Sequence, residues 1–234
     1  MISNGKFYES QFEEATIELL REAHWQYAFG DDIHRKYTDP LIEEDLRNFL
    51  TVQYKDKNLT TSEMDSIVAN LRNTGGQNDY YALRNAFLLY RDGYDFAYSD
   101  GRDNPFRLEY IDFEHPDHNI FRCVNQFVME QGRENRRPDI LLFINGIPVC
   151  IIELKNPTKQ NATIHDAHTQ ICTRYMRDIP ALLKYCALAV ISDGAKNALG
   201  TTYTPFEFFY EWKKIENEDT AGKGLDTLRT LIRG

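Results

Sequence analysis

The chain has 234 residues, of which 27 are basic and 36 are acidic, for a formal net charge of −9. Its content of 42% hydrophobic and 13% aromatic residues suffices for a folded core and excludes a disordered chain. The absence of a long apolar run and of an apolar N-terminal segment predicts a cytoplasmic protein without a membrane span or secretory signal.

The N-terminal residues predict a helix followed by a short strand. Ser10 and Glu13 form a capping box, and apolar side chains follow at helical spacing, which predicts a helix over residues 10–23. Residues 25–29 have the pattern of a short strand. Residues 1–29 are therefore assigned to the first helix and strand of the core.

Residues 30–93 form an acidic segment with a mainly helical pattern. Three helices are predicted there, beginning at Pro40, at a capping sequence over residues 62–65, and at Asp79. The segment contains no motif that suggests chemistry. We interpret it as a helical insertion or a docking surface.

From residue 94 onward the pattern changes to that of β-strands. Residues 106–113 and 121–129 are rich in β-forming side chains and predict an antiparallel pair. Two strongly apolar runs follow over residues 139–144 and 148–154, and the Asn-Gly sequence between them is a strong hairpin signal. Unbroken apolarity predicts that both of these strands are central in a sheet.

The C-terminal part alternates between helix and strand. A helix is predicted over residues 162–178, a buried strand over 185–192, an aromatic edge strand over 206–212 and a last helix over 224–233. The pattern thus predicts that strands and helices are mixed over residues 94–234.

Charge is distributed unevenly, which limits what the net value implies about partners. Residues 1–100 hold 10 basic and 18 acidic side chains, whereas residues 133–184 hold 8 basic and 5 acidic ones. An acidic surface repels the phosphate backbone of nucleic acids. The net charge argues at first against a nucleic-acid partner, but the excess acid lies outside residues 133–184.

Ionisable side chains at the ends of the two buried strands are the strongest catalytic candidates. Asp139 opens the first strand, and Glu153 and Lys155 close the second. Two carboxylates supply the oxygen ligands that Mg²⁺ prefers, and the bound metal activates water for phosphodiester hydrolysis. Lys155 lies on the same strand face as Glu153, where its ammonium can orient the water or stabilise developing charge.

The competing interpretation of these residues is structural. Ionised groups in buried strands are costly unless they are paired or bind a metal. A salt bridge at the strand ends, between Glu153 or Asp139 and Lys155 or Arg137, would satisfy them without any catalytic role.

The register of the hairpin distinguishes the two interpretations. A regular two-residue loop pairs residue 139 with residue 152, which places the two carboxylates on opposite faces of the sheet. A three-residue loop or a β-bulge pairs residue 139 with residue 153 and places both carboxylates on one face. Pro148 cannot donate to a strand ladder, which favours an irregularity there. We therefore predict the offset register.

The helix that follows the hairpin has a polar side. Gln170 and Arg174 are four residues apart and share a face, whereas Tyr175 is rotated from Gln170 by about 140° in an α-helix. These side chains are candidates for contacts with a DNA phosphate or the catalytic strand, or else form a solvated face with a packed tyrosine. His165 and His168 have the spacing of a metal pair, but a solvated face is favoured.

Residues 137–157, RPDILLFINGIPVCIIELKNP, resemble the nuclease signature of type I restriction enzyme R (restriction, motor) subunits. Three further segments resemble the family in the same order: residues 8–30, residues 170–201 and residues 206–213. The resemblance covers nearly the whole chain and is most specific over residues 137–200.

The resemblance implies an α/β (α+β) fold, a PD-(D/E)xK restriction-endonuclease-like core over residues 94–234 with a mixed central sheet flanked by helices. It implies that Asp139 and Glu153 are ligands of Mg²⁺ and that Lys155 is the catalytic lysine. In such cores the main-chain carbonyl of the residue equivalent to Leu154 often completes the metal shell.

The resemblance also implies a Q-x-x-x-Y motif on the helix after the hairpin. Here the spacing from Gln170 to Tyr175 is one residue longer than in the motif. Either Gln170 or Tyr175 fills its role through a shifted geometry, or Arg174 replaces the tyrosine.

A glutamate on the first helix supports the metal in many nucleases of this kind. Glu13, Glu14 and Glu18 are the candidates in this chain, and Glu14 and Glu18 share one face of the predicted helix.

The family implies a function that extends beyond this chain. R subunits hydrolyse double-stranded DNA after ATP-driven translocation by motor domains, and they assemble with methyltransferase (M) and specificity (S) subunits. The chain has no Walker motif, so we interpret it as an N-terminal fragment in which ATP is not used. The alternatives are a non-catalytic assembly or docking module and a stand-alone PD-(D/E)xK repair or recombination nuclease.

Overall fold

The structure is a computed structural model that describes residues 4–155, 163–213 and 225–233. The helices are α1 (Asn4–Glu22), α2 (Glu43–Gln53), α3 (Thr61–Asn73), α4 (Asp79–Asp92), α5 (Ile164–Thr169), α6 (Met176–Asp178), α7 (Pro180–Leu183) and α8 (Leu225–Arg233). The strands are β1 (Gln26–Phe29), β2 (Tyr94–Phe96), β3 (Phe106–Leu108), β4 (Phe121–Asn125), β5 (Met129–Gln131), β6 (Glu134–Arg136), β7 (Ile140–Ile144), β8 (Ile147–Leu154), β9 (Leu188–Ser192), β10 (Asn197–Gly200) and β11 (Tyr210–Trp212).

Within the described residues, seven strands form one mixed sheet in the order β1-β4-β7-β8-β9-β10-β11. The pairs β1–β4 and β8–β9 are parallel, and the other neighbouring pairs are antiparallel. The central position of β7 and β8 agrees with their unbroken apolar sequence. The predicted mixed central sheet flanked by helices is therefore confirmed.

The two faces of the sheet are covered by different helices because successive side chains of a strand point to opposite faces. On one face, Leu141 and Ile151 pack with Ile171 of the helical segment that follows the hairpin. On the other face, Ile140 and Ile152 belong to the cluster that contains the side chains of α1 and α8. Both faces of the hairpin are thus buried, which holds its strand ends in fixed positions.

The helices α2, α3 and α4 form a second packed unit beside the sheet. Their core contains Leu46, Ile67 and Ala86, and it continues into Leu108 of β3 and Ile147 at the start of β8. The unit therefore reaches past residue 93 and rests on the turn end of the hairpin.

The predicted pairing of residues 106–113 with residues 121–129 is wrong. β3 pairs with β2, whereas β4 lies in the large sheet between β1 and β7. Strand pairing between distant residues depends on tertiary contacts, which the pattern of a single sequence does not contain.

Two helices begin at residues other than the predicted N-caps. α1 begins at Asn4, so Ser10 lies inside the helix rather than at its N-cap. The N-cap of α3 is Thr60, whose side chain accepts from the Glu63 main-chain N–H at 3.2 Å. The predicted cap at residues 62–65 is therefore wrong. In addition, the strand β10 (Asn197–Gly200) was not predicted.

Glu63 is only 2% exposed and is held by several donors, which makes it a pH-dependent contributor to stability. Arg102 donates to Oε2 at 2.7 Å and the Thr60 main-chain N–H donates at 2.9 Å. These bonds, that of Arg102 first, lower the pKa of Glu63 to about 2.

A Glu63→Gln variant is expected to be less stable than the wild type at neutral pH. Because the folded-state pKa is lowered, the contribution of the carboxylate is present above its unfolded pKa of about 4.3 and is lost as the pH falls toward about 2. Thermal unfolding between pH 2 and 7 measures the difference in stability between the wild type and Glu63→Gln. A Glu44→Gln variant, which changes an exposed glutamate, is the control. A difference between wild type and Glu63→Gln that does not narrow below pH about 4 contradicts the prediction.

Candidate active site

The hairpin turn is regular, but the strand pairing beyond it is offset by a bulge. Asn145 and Gly146 have φ values of 51° and 76°, as a two-residue hairpin turn with two left-handed residues requires. Ile144 pairs with Ile147, but the register shifts by one residue between Leu142 and Phe143. The bulge leaves Val149 unpaired, and the predicted offset register is confirmed.

The bulge aligns residue 139 with residue 153, because Ile140 pairs with Ile152. Asp139 lies directly before β7, and its Oδ2 accepts a hydrogen bond from the main-chain N–H of Leu154 at 2.8 Å. The carboxylate of Asp139 is therefore fixed against the end of β8, on which Glu153 lies.

Glu153 is a buried carboxylate in which only one of the two oxygens forms a salt bridge. The side chain is 0% exposed, and its Oε1 accepts from Lys155 Nζ at 2.7 Å. Its Oε2 is buried and makes no hydrogen bond of normal geometry with the described residues, although the Tyr175 hydroxyl lies close enough to lower the pKa of Glu153. Burial, and then the charge of Asp139, raises the pKa of Glu153 well above its ordinary value, although Lys155 opposes the shift.

The site therefore contains the salt bridge of the structural interpretation, between Lys155 and Glu153. This salt bridge leaves the second carboxylate oxygen of Glu153 without a hydrogen bond. An unpaired buried carboxylate oxygen costs free energy, and a second carboxylate nearby adds repulsion. A divalent cation between Asp139 and Glu153 would offset both costs with oxygen donors of the type that Mg²⁺ takes. The donor set fits Mg²⁺, and Leu154 lies at the same strand end to provide the predicted main-chain oxygen.

The helix after the hairpin is interrupted by a π-helical segment, Gln170–Tyr175, between α5 and α6. In a π-helix the main-chain bonds join residues five apart, so side chains with that spacing lie on one face. Gln170 Nε2 accordingly donates to the Tyr175 hydroxyl at 2.6 Å. The predicted rotation of Tyr175 by about 140° away from Gln170 is wrong, because it assumed an α-helix throughout.

Gln170 connects this segment to the hairpin formed by β7 and β8. Its Oε1 accepts a hydrogen bond from Lys155 Nζ at 2.7 Å, so the ammonium lies between Gln170 and Glu153. Tyr175 is buried, and burial together with the charge of Glu153 raises the pKa of its hydroxyl. Arg174 is exposed. The contact to Gln170 is thus made by Tyr175 and not by Arg174.

The first helix contributes a glutamate to the neighbouring strand end. Glu13 Oε1 accepts from Asn125 Nδ2 at 2.7 Å and from Gln126 Nε2 at 3.1 Å. The main-chain N–H of Gln126 donates to the carbonyl of Asp139 at 3.4 Å, which links Glu13 to the site through one residue. The sequence signal for this link was the polar pair Asn125-Gln126 at the end of an apolar strand.

Glu14 and Glu18 share an exposed face, as predicted, and line an open cleft of about 430 Å³ together with Glu13 and Asn125. Glu18 pairs with Arg21 at 2.7 Å. Their roles as supporting residues stay predictions, and among the candidate glutamates of α1 it is Glu13 that bonds to the end of β4.

His165 and His168 lie beside aromatic rings. Both rings contact Phe206, and His168 also contacts Phe209 and bonds to the carbonyl of Thr204 at 2.9 Å. His165 is exposed, as expected for a solvated face, whereas His168 is partly buried in the aromatic cluster.

Among the helices of the described residues, none is both long enough and apolar enough to cross a membrane.

Comparison with known proteins identifies relatives of the chain. It is similar to the Type I restriction enzyme HindI endonuclease subunit of Haemophilus influenzae, with 28% identity over an alignment of 238 positions that covers 97% of the chain and 22% of that protein. It is also similar to the putative type I restriction enzyme MjaIXP endonuclease subunit of Methanocaldococcus jannaschii, with 30% identity over an alignment of 215 positions that covers 88% of the chain and 20% of the relative. The chain thus spans about a fifth of the length of these relatives.

The sequence model of the family described as "Type I restriction enzyme R protein N terminus" matches residues 6–208. This range contains the hairpin formed by β7 and β8, the π-helical segment and the unit formed by α2, α3 and α4. The chain belongs to the family of N-terminal domains of type I restriction enzyme R proteins.

Proposed function

We propose that the chain is an endonuclease domain that hydrolyses phosphodiester bonds of double-stranded DNA with Mg²⁺ as its cofactor. The observation that supports this most is the unpaired, buried Oε2 of Glu153 beside Asp139, with Lys155 on the same strand end. A purely structural salt bridge needs neither the second carboxylate nor a free oxygen.

The side chains of the site have separable roles in this proposal. Asp139, Glu153 and the main-chain carbonyl of Leu154 hold the metal, which when bound activates water and neutralises charge on the phosphate. Lys155 orients the water or stabilises the charge that develops on the phosphate oxygens. Gln170 holds the ammonium of Lys155 in place, and Tyr175 holds the amide of Gln170.

The wider activity belongs to a longer protein. We propose that motor domains outside this chain use ATP to translocate DNA in the cytoplasm, and that the R subunit assembles with methyltransferase (M) and specificity (S) subunits. The names of the relatives as endonuclease subunits of type I restriction enzymes support the assembly with further subunits. The small excess of basic residues over residues 133–184 fits a nuclease whose DNA is held by other domains.

Mg²⁺ binding tests the proposal independently of cleavage. Calorimetric titration of the chain with Mg²⁺ is expected to show binding that Asp139→Ala abolishes, because one of the two carboxylates is lost. Asp56→Ala, which removes an exposed carboxylate from the helical unit, is the matched control and is expected to bind as the wild type does.

Equal Mg²⁺ binding by the wild type and Asp139→Ala would contradict the catalytic proposal and favour a non-catalytic docking module. Circular dichroism of each variant shows whether a loss of binding is a loss of folding.

A further inference from the structure

A second cluster of metal-ligand side chains lies at the other end of the catalytic hairpin. Asp112, His115 and His118 stand in the loop between β3 and β4, and their ligand atoms all lie within 4.8 Å of one another. The loop is fastened to the hairpin turn, because Asn145 Nδ2 donates to Asn119 Oδ1 at 2.7 Å. With the eight residues of β8 between the turn and the catalytic end, the two sites are roughly 20 Å apart or more.

Asp112 is held in place before any ion binds. It is 4% exposed, and its Oδ1 accepts from the main-chain N–H groups of Glu114 and His115 at 3.1 and 2.8 Å. Its Oδ2 accepts from Gln53 Nε2, at the end of α2, at 3.1 Å. The carboxylate is therefore oriented by partners that act as an outer shell around it.

The two histidines present the same ring nitrogen to this carboxylate. Nδ1 of His118 lies 3.0 Å and Nδ1 of His115 lies 3.6 Å from Asp112 Oδ2. The rings stack with centroids 4.9 Å apart, and the turn Pro116–His118 fixes their spacing. Both side chains are exposed, so water can occupy further coordination positions.

We propose that Asp112, His115 and His118 form a Zn²⁺ site, with one carboxylate oxygen and two imidazole nitrogens as ligands. Two imidazoles and one carboxylate, with an open position for water, are a ligand set that Zn²⁺ takes in proteins. Mg²⁺ prefers oxygen ligands throughout, so this site differs chemically from the one at Asp139 and Glu153. The ion would add two imidazole contacts to a loop that hydrogen bonds already join to α2 through Gln53 and to the hairpin turn through Asn119 and Asn145.

Co²⁺ is a spectroscopic substitute for Zn²⁺ that tests the site. To remove the catalytic carboxylate, the 234-residue chain is used in an Asp139→Ala background. We expect one Co²⁺ to bind with visible d–d absorption and to be displaced by Zn²⁺. His115→Ala and His118→Ala are expected to abolish the absorption, and Gln53→Leu is expected to weaken binding about 10- to 100-fold as an outer-shell change.

Two controls keep the result interpretable. His34→Ala and His165→Ala remove exposed histidines elsewhere and are expected to leave the Co²⁺ spectrum unchanged. His115 and His118 are exposed, so thermal unfolding of the metal-free variants is expected to match that of the parent chain. The proposal is overturned if the folded parent chain gives no d–d absorption, or if the absorption persists in both His115→Ala and His118→Ala.

Discussion

Lys155→Ala is expected to slow DNA cleavage about 100- to 1000-fold, the loss that follows removal of one charge-stabilising group from an active site. The prediction rests on the proposed nuclease function. Lys155 Nζ lies 2.7 Å from both Glu153 Oε1 and Gln170 Oε1, so the ammonium is held at the strand end where the metal is proposed to bind. The measurement is the rate of plasmid linearisation by the assembled restriction enzyme that contains the variant.

Metal binding separates a catalytic role of Lys155 from a structural one. The ammonium is not a metal ligand, so the Lys155→Ala chain is expected to keep its Mg²⁺ binding while it loses cleavage. Lys55→Ala, which removes an exposed lysine from the helical unit, is expected to retain both. If Lys155→Ala loses Mg²⁺ binding as well, the lysine acts mainly by stabilising the buried Glu153.

The hairpin of β7 and β8 could be predicted from the sequence because its signals are local. The Asn145-Gly146 turn, the apolar strands on each side and the polar residues at their ends all lie within about twenty residues of sequence. Pro148 indicated that the ladder is irregular near the turn, and the bulge between Leu142 and Phe143 follows from the same region. The offset that aligns residue 139 with residue 153 was therefore predictable.

Strand partners across long stretches of sequence could not be predicted in the same way. The strand β4 (Phe121–Asn125) pairs with β1, nearly one hundred positions earlier, on one side and with β7 on the other. Nothing in the sequence of β4 distinguishes pairing with β1 from pairing with residues 106–113, because both possible partners contain similar β-forming residues. Burial against α1 and the rest of the sheet decides between them.

The contacts at the two ends of the hairpin could not be predicted from the sequence, for different reasons. Glu13 contacts Asn125 and Gln126 only because β1 and β4 are parallel neighbours, a fact that depends on the sheet order. The cluster of Asp112, His115 and His118 lies within seven residues, but its sequence has the pattern of an ordinary polar loop. Only the structure shows that the three ligand atoms lie close together.

The π-helical segment was invisible to sequence periodicity, although the family motif provided a clue. A Gln-to-Tyr spacing of five residues instead of four is incompatible with a shared face in an α-helix. The structure resolves the conflict by widening one turn, so that Gln170 and Tyr175 meet and the residues after Tyr175 remain in register with the core. Ile171 and Ile179, on either side of the widened turn, are both fully buried. The extra residue is thus accommodated locally, where π-helical turns are often associated with function.

Two deletions of one residue each are expected to have opposite effects on cleavage. Deleting exposed Thr173 shortens the Gln170–Tyr175 spacing to four residues, so a regular α-helix keeps their side chains on one face. This variant is expected to fold and to retain cleavage. Deleting Met176 also restores a regular helix and keeps the later residues in register, but it places Arg174 where Tyr175 stands. The hydrogen bond from Gln170 to the tyrosine is then lost, and cleavage is expected to fall about 100-fold because Lys155 is misplaced.

Because each deletion removes one residue from the same helix, a general effect of shortening the helix would impair both variants alike. Plasmid linearisation and thermal unfolding, measured side by side, distinguish the outcomes. Tyr175→Phe, which removes only the hydroxyl that accepts from Gln170, is expected to change cleavage in the same direction as the Met176 deletion but by less. If deletion of Thr173 abolishes cleavage while the Met176 deletion preserves it, the contact between Gln170 and Tyr175 does not position Lys155, and the extra residue has another role.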